Sequence, residues 1–243
     1  MLHKTRGIVL KTTRFRNSSV IAQVFTERFG LQPYLINGVR KPRSSISLNI
    51  LQPLHLLEMV VYHKPTVSIQ RIKEIRNHPV YFSVPLDVIK STITLFLCEV
   101  LYKLIRKQSG EDLPLFQYIF SSMEWLDHHR GNVADFHLVF LTGLTRYLGF
   151  FPDIRAGGGK NDYFDLLDGK FTTQAPTHSW YLSPPTGAGW RKLIETDYQQ
   201  LPDLKFSVDE RKQLLDALLE FYSLHLEDFG NIRSREVLQE LFA

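Results

Sequence analysis

Few residues in this 243-residue chain have the types and spacing of a catalytic or ligand-binding site. The first candidates form a short glycine-rich stretch. Residues 157–161 (GGGKN) resemble a phosphate-binding loop, in which backbone N–H groups surround a phosphate and a lysine neutralises it. Such a loop needs a glycine five residues before its Gly-Lys pair, where this chain has Ile154. It also needs Ser or Thr after the lysine to hold magnesium, where this chain has Asn161. We therefore interpret the stretch as a loop and not as a nucleotide site.

The second candidate is a group of possible metal ligands. Asp127, His128 and His129 are consecutive, and Asp135 and His137 follow shortly after them. Adjacent residues of a helix point about 100° apart, so the two neighbouring histidines cannot easily share one ion. A polar helix end followed by a turn is the simpler interpretation. We predict no metal here.

Cysteine usage narrows the chemistry further. Cys98 is the only cysteine, which excludes an internal disulfide and a thiolate-rich zinc site. A single free cysteine is typically a small buried residue. The chain also has no Gly-x-Ser-x-Gly nucleophile elbow, although a triad assembled from distant residues stays open. Nothing in the sequence argues for an enzyme or for a cofactor.

The third candidate is a run of cations. Residues 37–45 read NGVRKPRSS, an Asn-Gly turn followed by Arg40, Lys41 and Arg43 with no acid nearby. Residues 1–80 carry thirteen Lys or Arg and three acids, a net +10, whereas the rest of the chain carries −6 and the total is +4. A basic first third indicates a polyanionic partner, most commonly nucleic acid. A membrane surface or an acidic protein tail is the alternative.

We assign the candidate nucleic-acid contacts to seven cations of this basic third: Arg6, Lys11, Arg14, Arg16, Arg40, Lys41 and Arg43. Each phosphate that a cation neutralises releases counterions, and this release drives binding. A charged loop without a ligand is the ordinary alternative for the last three. If base stacking dominates instead, Phe15 or Tyr34 would contribute more than the cations.

The first 80 residues have the pattern of strands. Short runs rich in β-branched and aromatic residues alternate with turns, at residues 7–13, 19–26, 31–37, 54–63 and 67–76. Five short antiparallel strands predict a small closed barrel of the OB type. An SH3-like barrel has a similar number of strands and stays open.

From Pro85 onward the apolar period changes to that of helices. We predict an OB-fold nucleic-acid-binding domain over residues 1–80 and a helical domain over residues 81–243. Residues 152–192 interrupt the helical pattern with glycines, prolines and aromatic residues. The predicted fold class is α+β: a five-stranded OB-type barrel, then an all-helical domain with an irregular insertion.

The sequence contains no signal peptide and no apolar run of the ~18 residues that a membrane span needs. We therefore expect a cytoplasmic protein without a membrane partner. If its polyanion is DNA, it associates with the nucleoid.

Several short motifs, in this order and spacing, resemble the RecO family of bacterial recombination mediators. Residues 37–44 are similar to the Lys-Gly-x-Arg-Arg-x-x-Ser signature of that family. The other similar segments are residues 7–11 (GIVLK), 25–30 (FTERFG), 51–54 (LQPL), 144–152 (LTRYLGFFP) and 232–238 (IRSREVL). The resemblance covers most of the chain.

The chain departs from the family pattern in two places. Many members have Glu-Ser-Asp where this chain has Asn17, Ser18 and Ser19. Many members also bind zinc through two Cys-x-x-Cys pairs, but here the region from Arg155 onward has no cysteine. The insertion is therefore expected to be a degenerate zinc ribbon that its own apolar residues hold together without metal.

The resemblance implies a function. It implies an OB fold that binds single- and double-stranded DNA and anneals complementary strands without ATP. It also implies contacts with RecR and with the acidic tail of the single-strand-binding protein, which together help to load RecA. It implies no catalytic residues. Two other classes stay open from the charges alone: an RNA-binding OB protein, and an adaptor that binds only an acidic protein tail.

Overall fold

The computed structural model describes residues 1–39, 46–108, 110–155, 159 and 162–242. The chain divides into two compact units, Met1–His128 and His129–Ala243. Among the described residues, the first unit contains a β-barrel and two α-helices, and the second contains four α-helices and a small sheet.

Five strands close the barrel of the first unit: β1 Leu2–Phe15, β2 Ser19–Thr26, β3 Gly30–Ile36, β4 Leu56–Tyr62 and β5 Gln70–Asn77. Their order around the barrel is β1-β2-β3-β5-β4. The β3–β5 pair is parallel and the other pairs are antiparallel. This is a five-stranded Greek-key barrel, so the predicted OB-type fold is confirmed.

Alternation along β2 shows how the sequence builds the barrel. Val20, Ala22 and Val24 are buried in the barrel core, while Ile21 and Gln23 between them are only half-buried. A period of two places successive side chains on opposite faces of a strand. One face of each strand therefore fills the barrel, and the other is left for helices or for solvent.

The turn between β2 and β3 explains the motif at residues 25–30. The Thr26 hydroxyl donates to the Gly30 carbonyl at 2.8 Å and accepts from the Phe29 N–H at 3.1 Å. Gly30 has φ +64°, and a Cβ there would lie 1.9 Å from the Gly110 carbonyl oxygen. Only glycine meets both requirements, because it tolerates positive φ and adds no side chain at a close approach.

Two helices pack on the outside of the barrel within the first unit. They are α1, Val88–Ile105, and α2, Leu113–His128. The Cys98 thiol of α1 lies 3.0 Å from the Leu10 carbonyl, and Phe116 of α2 packs 5.7 Å from Phe25 between ring centroids. Cys98 is buried, as the sequence predicts. The helices thus cover the outer face of β1 and β2 at these residues.

The second unit is mostly helical. Its helices are α3 Phe136–Leu148, α4 Pro184–Glu195, α5 Val208–His225 and α6 Ser234–Leu241. Three short strands form a sheet of order β7-β6-β8: β6 Tyr163–Asp165, β7 Lys170–Thr172 and β8 Tyr181–Leu182. This sheet lies in the region predicted as an irregular insertion. Strands of two or three residues are too short to show a period of two, which is why the sequence pattern does not reveal them.

The N-terminal end of α5 is capped by a local sequence motif. Ser207 and Glu210 form a capping box, in which the Ser hydroxyl accepts from the Glu210 N–H and the Glu carboxylate accepts from the Ser207 N–H. Across the described ranges, no helix has the length and apolar character required to span a bilayer.

Candidate nucleic-acid interface

Two connections of the barrel and the residue that follows β3 come together at one end. The β1–β2 turn, residues 16–18, precedes Ser19, whose hydroxyl donates to Asn37 Oδ1 at 3.0 Å just after β3. The β4–β5 connection, residues 63–69, ends at Gln70, which pairs with Tyr34 near the end of β3. OB folds bind oligonucleotides with the corresponding loops and with the face of strands 2 and 3.

The β4–β5 connection is held in shape by one buried side chain. The Gln70 side-chain amide donates to the carbonyls of Lys64 at 2.9 Å and Val67 at 2.6 Å. Its carbonyl accepts from the Lys64 N–H at 3.0 Å. The loop is therefore ordered from within, and Val67 and Ile69 are exposed on it.

A continuous row of paired residues runs around the outside of the barrel. Each member is the direct register partner of the next: Leu2, Tyr62, Arg71, Leu35, Ile21 and Thr13. Directly paired residues have their side chains on the same side of a sheet. We call this set the outer row. It combines an exposed tyrosine, an exposed arginine and two half-buried aliphatic residues.

The cations near this end of the barrel are not neutralised. Arg14, Arg16, Lys64 and Arg71 are exposed, and within the described parts of the chain none lies in ion-pair distance of a carboxylate. A surface that leaves several cations unpaired beside ordered loops has a favourable field for a polyanion.

Comparison with known proteins identifies the family of this chain. Residues 1–78 match the family described as "Recombination protein O N terminal", and residues 85–236 match "Recombination protein O C terminal". The chain belongs to the RecO family. The two matches cover nearly the whole chain and meet where the strands give way to helices.

Curated RecO relatives are similar over their full length. A "DNA repair protein RecO" from Bacteroides fragilis is 38% identical, with 100% of each chain covered. One from Phocaeicola vulgatus is 34% identical, again with 100% of each chain covered. One from Flavobacterium johnsoniae is 33% identical, with 99% of each chain covered.

The seven predicted contact residues of this RecO chain have different surroundings. Arg14 and Arg16 are exposed at the end of β1 and in the β1–β2 turn, and Lys11 is exposed with its ammonium 4.8 Å from the Tyr102 ring centroid. Arg40, Lys41 and Arg43 lie outside the described residues. In the sequence they follow Asn37, whose side chain accepts the hydrogen bond from Ser19.

Arg6 is engaged inside the protein. Its guanidinium forms two hydrogen bonds with the Glu27 carboxylate, at 3.0 and 2.6 Å. It also lies 4.7 Å from the ring centroid of Phe120. The hydrogen bond to Glu27, which outweighs burial, raises the pKa of Arg6. The charge of Arg6 is thus already matched, and its contact with nucleic acid stays a prediction.

Sequence reasoning missed Lys64 and Arg71. Lys64 lies in a connection that the sequence pattern indicates only as a turn, and Arg71 lies inside a strand. The excess of positive charge pointed to this third of the chain without separating paired from unpaired cations. Pairing depends on the register, as with Arg76, which forms an ion pair with its register partner Glu58.

The two aromatic residues proposed for base stacking have different outcomes. Tyr34 is fully buried in the barrel core, so its proposed role in base stacking is wrong. It lies on the inward face of β3, where burial raises the pKa of its hydroxyl. Phe15 is half-buried and has the Arg16 guanidinium 5.3 Å from its ring centroid.

Two of the candidate metal ligands, Asp127 and Asp135, have structural roles. The Asp127 carboxylate accepts backbone N–H groups of Phe82, Ser83 and Val84. The Asp135 carboxylate accepts from Arg211 Nε at 2.7 Å. Among the residues that the structure describes, no three His, Cys, Asp or Glu side chains are grouped to hold an ion. The residues of this chain therefore do not fit the zinc that the resemblance associates with many members.

An aromatic cluster holds the insertion instead. Phe164 of β6 packs against Phe171 of β7 at 4.9 Å and against Trp190 of α4 at 5.2 Å, between ring centroids. Phe221 of α5 lies 5.7 Å from Trp190. Aromatic rings bury large areas and gain further from tilted and edge-to-face contacts.

We expect a strong chelator to leave the melting temperature of the protein unchanged, because this aromatic cluster and not an ion holds the insertion together. Thermal unfolding followed by circular dichroism, with and without chelator, checks this. Stoichiometric zinc in elemental analysis, lost together with stability, would contradict the prediction.

Proposed function

We propose that this RecO-family chain, a protein of DNA repair and recombination, binds single- and double-stranded DNA and anneals complementary strands without ATP. We further propose that it assists the loading of RecA on nucleoid DNA. Residues 1–80 supply most of the DNA affinity in this proposal, because they carry the positive excess.

The observation that carries the proposal is the group of exposed cations at the loop end of the barrel that have no carboxylate partner among the described residues. Arg14, Arg16, Lys64 and Arg71 present positive charge where OB folds receive a nucleic-acid strand. Each phosphate contact releases counterions and adds affinity without reading the base sequence.

Annealing follows from the same charge. Two complementary strands repel each other through their phosphates, and a cationic surface that contacts both lowers this repulsion. The pairing of bases then supplies the free energy, so no catalytic residue and no ATP are required. This agrees with a chain in which we predict no active site.

The proposed protein partners are RecR and the acidic tail of the single-strand-binding protein. The tail is an anion, so it would compete with DNA if it used the same cations. RNA binding is the alternative that these charges also permit. Titration with DNA, RNA and an acidic peptide at several salt concentrations separates the three.

The triple variant Arg40→Ala, Lys41→Ala, Arg43→Ala tests the interface. We expect the slope of log affinity for single-stranded DNA against log salt to shrink by about 0.7 per lost phosphate contact, so by roughly 2 in total. Annealing should slow in parallel. Because the sequence predicts these residues to be exposed on a loop after a strand, the free energy of unfolding should change by less than about 1 kcal/mol.

A matched control neutralises cations that already have partners. Lys73 forms an ion pair with Glu74, and Arg76 forms one with Glu58. The double variant Lys73→Ala, Arg76→Ala should leave the salt slope nearly unchanged. An unchanged slope and affinity in the triple variant would show that NGVRKPRSS is only a charged loop.

A further inference from the structure

We propose that Tyr62 is a base-stacking residue for single-stranded DNA, and that the strand crosses the outer row from Tyr62 over Arg71 to the Leu35–Ile21 pair. This inference rests on the proposed function and adds the residue that distinguishes a single strand from a duplex.

The register places Tyr62 between two exposed residues. Its direct partners are Leu2 on β1 and Arg71 on β5. Tyr62 is the last residue of β4 and is 43% exposed, immediately before the connection that carries exposed Val67 and Ile69. An aromatic ring at this position is supported by the barrel on one side and open to solvent on the other.

The surroundings of Tyr62 identify the kind of ligand. Exposed apolar side chains in one patch mark an interaction site. Here exposed Leu2 and Tyr62 are direct partners, Arg71 pairs with Tyr62, and Lys64 follows two residues later in the chain. Both cations are exposed and have no carboxylate partner in the described ranges. A ligand that fits has flat apolar groups and regularly spaced negative charges. A single nucleic-acid strand has both, because its bases are free to stack and its phosphates are exposed.

The spacing of the outer row suits such a strand. From Tyr62 to Ile21 the row makes three steps between neighbouring strands, about 14 Å at about 4.8 Å per step. One OB fold binds about 4–16 nucleotides, so this distance covers part of a typical site. Leu35 and Ile21 form a directly paired, half-buried aliphatic surface beyond Arg71 on which a further base can lie.

Stacking on Tyr62 requires an unpaired base. In a duplex the bases are already stacked on one another, so a duplex would contact the cations through its phosphates and leave the tyrosine ring unused. Tyr62 would therefore contribute to single-strand affinity alone, and Arg71 to both.

The experiment compares Tyr62→Ala, Tyr62→Leu and Tyr62→Trp in the full chain, with single-stranded and duplex oligonucleotides over a range of salt. Loss of one stacked base predicts about a 5- to 150-fold weaker affinity of Tyr62→Ala for the single strand. Duplex affinity and the salt slope should stay unchanged, because no charge is lost. Tyr62→Leu keeps apolar bulk without an aromatic face and should lose affinity too, whereas Tyr62→Trp should retain it.

The control is Tyr147→Ala, since Tyr147 of α3 has a similar exposed fraction, 39%, and lies in the second compact unit. It should not change DNA affinity. Light-induced crosslinking of the wild-type chain to an oligonucleotide with 5-iodouracil should label Tyr62, which tests the contact without any substitution.

The possible outcomes distinguish a failure of the stacking role of Tyr62 from a failure of the proposed function. Wild-type protein that binds no DNA overturns the proposed function. Wild-type protein that binds DNA, while Tyr62→Leu binds the single strand equally well and no crosslink forms at Tyr62, overturns the stacking role. Equal losses for single strand and duplex would also overturn it, because they would indicate damage to the whole surface.

Discussion

Replacement of Asp127 by alanine is expected to lower the free energy of unfolding of the first compact unit by about 3–5 kcal/mol. Its carboxylate accepts three backbone N–H groups, from Phe82 at 2.8 Å, Ser83 at 2.8 Å and Val84 at 2.9 Å. A buried donor left without a partner costs about 1–3 kcal/mol. Only the Val84 bond is fully buried and the other two are part-buried, so the expected total lies toward the lower end for three donors. One side chain of α2 thus fixes the segment that links the barrel to α1.

The same contacts make the contribution of Asp127 to stability depend on pH. Burial raises the pKa of its carboxyl group, but the hydrogen bonds from Phe82, Val84 and Ser83 together outweigh burial and lower it below 3.8. The pKa of Asp127 is lower in the folded state than in the unfolded state. Its contribution to the free energy of unfolding is therefore complete at any pH above the pKa that it has in the unfolded chain. It is lost as the pH falls through the lower, folded-state value. The wild-type protein should therefore lose this contribution only in acid, below about pH 4.

Urea unfolding followed by circular dichroism, at neutral pH and at about pH 3, measures the effect. The control variant Asp127→Asn keeps one acceptor oxygen and should be destabilised less than Asp127→Ala. The stability difference between wild type and Asp127→Ala should narrow in acid. A loss below about 1 kcal/mol at neutral pH would contradict the structural role of the carboxylate.

Trp190→Ala is expected to have a comparable effect on the second unit. The indole is fully buried and contacts Phe164 and Phe221. Removing a buried tryptophan costs about 3–5 kcal/mol, because the transfer energy is lost and a cavity remains. The described residues of the insertion contain no group of metal ligands to replace this support, so the small sheet should lose its order together with the α4 contact.

The chain supplies a matched control in the same insertion. Trp180 is 42% exposed, and Trp180→Ala should change the free energy of unfolding by less than about 1 kcal/mol. Trp190→Phe should recover most of the stability. The indole N–H of Trp190 has no hydrogen-bond partner in the part of the chain that the structure describes, so replacing Trp190 by phenylalanine removes no hydrogen bond there. Denaturant unfolding of the three variants compares them, and equal losses for Trp180→Ala and Trp190→Ala would show that the aromatic cluster does not hold the insertion.

The barrel could be predicted from the sequence because the patterns that indicate its strands and turns each lie within a few residues. Alternation in β2 and the turn residues at Gly30 and Asn37 are visible within a few positions. The position of α1 could also be predicted, since its apolar residues repeat with a helical period. By contrast, the three strands of the insertion are too short to have a period, and their aromatic cluster forms only when α4 and α5 fold against them.

The candidate site could be predicted only as a region. Positive excess indicated the first third of the chain, but the structure shows Arg6 paired with Glu27, and Arg76 with Glu58. The outer row depends on register across all five strands, and the parallel pair of Leu35 with Arg71 joins residues far apart in sequence. No local pattern contains that information. The same dependence on register placed Tyr34 inside the barrel and left Tyr62 outside.

The buried thiol of Cys98 has a practical consequence for work on this protein. Burial raises its pKa to about 12, and its sulfur lies 3.0 Å from the Leu10 carbonyl oxygen. Alkylating reagents and peroxide attack the thiolate, which is nearly absent from such a group at neutral pH. A cysteine introduced at an exposed position would therefore be the reactive one. Dyes or spin labels could be attached there to follow the barrel in solution, with the natural cysteine left in place.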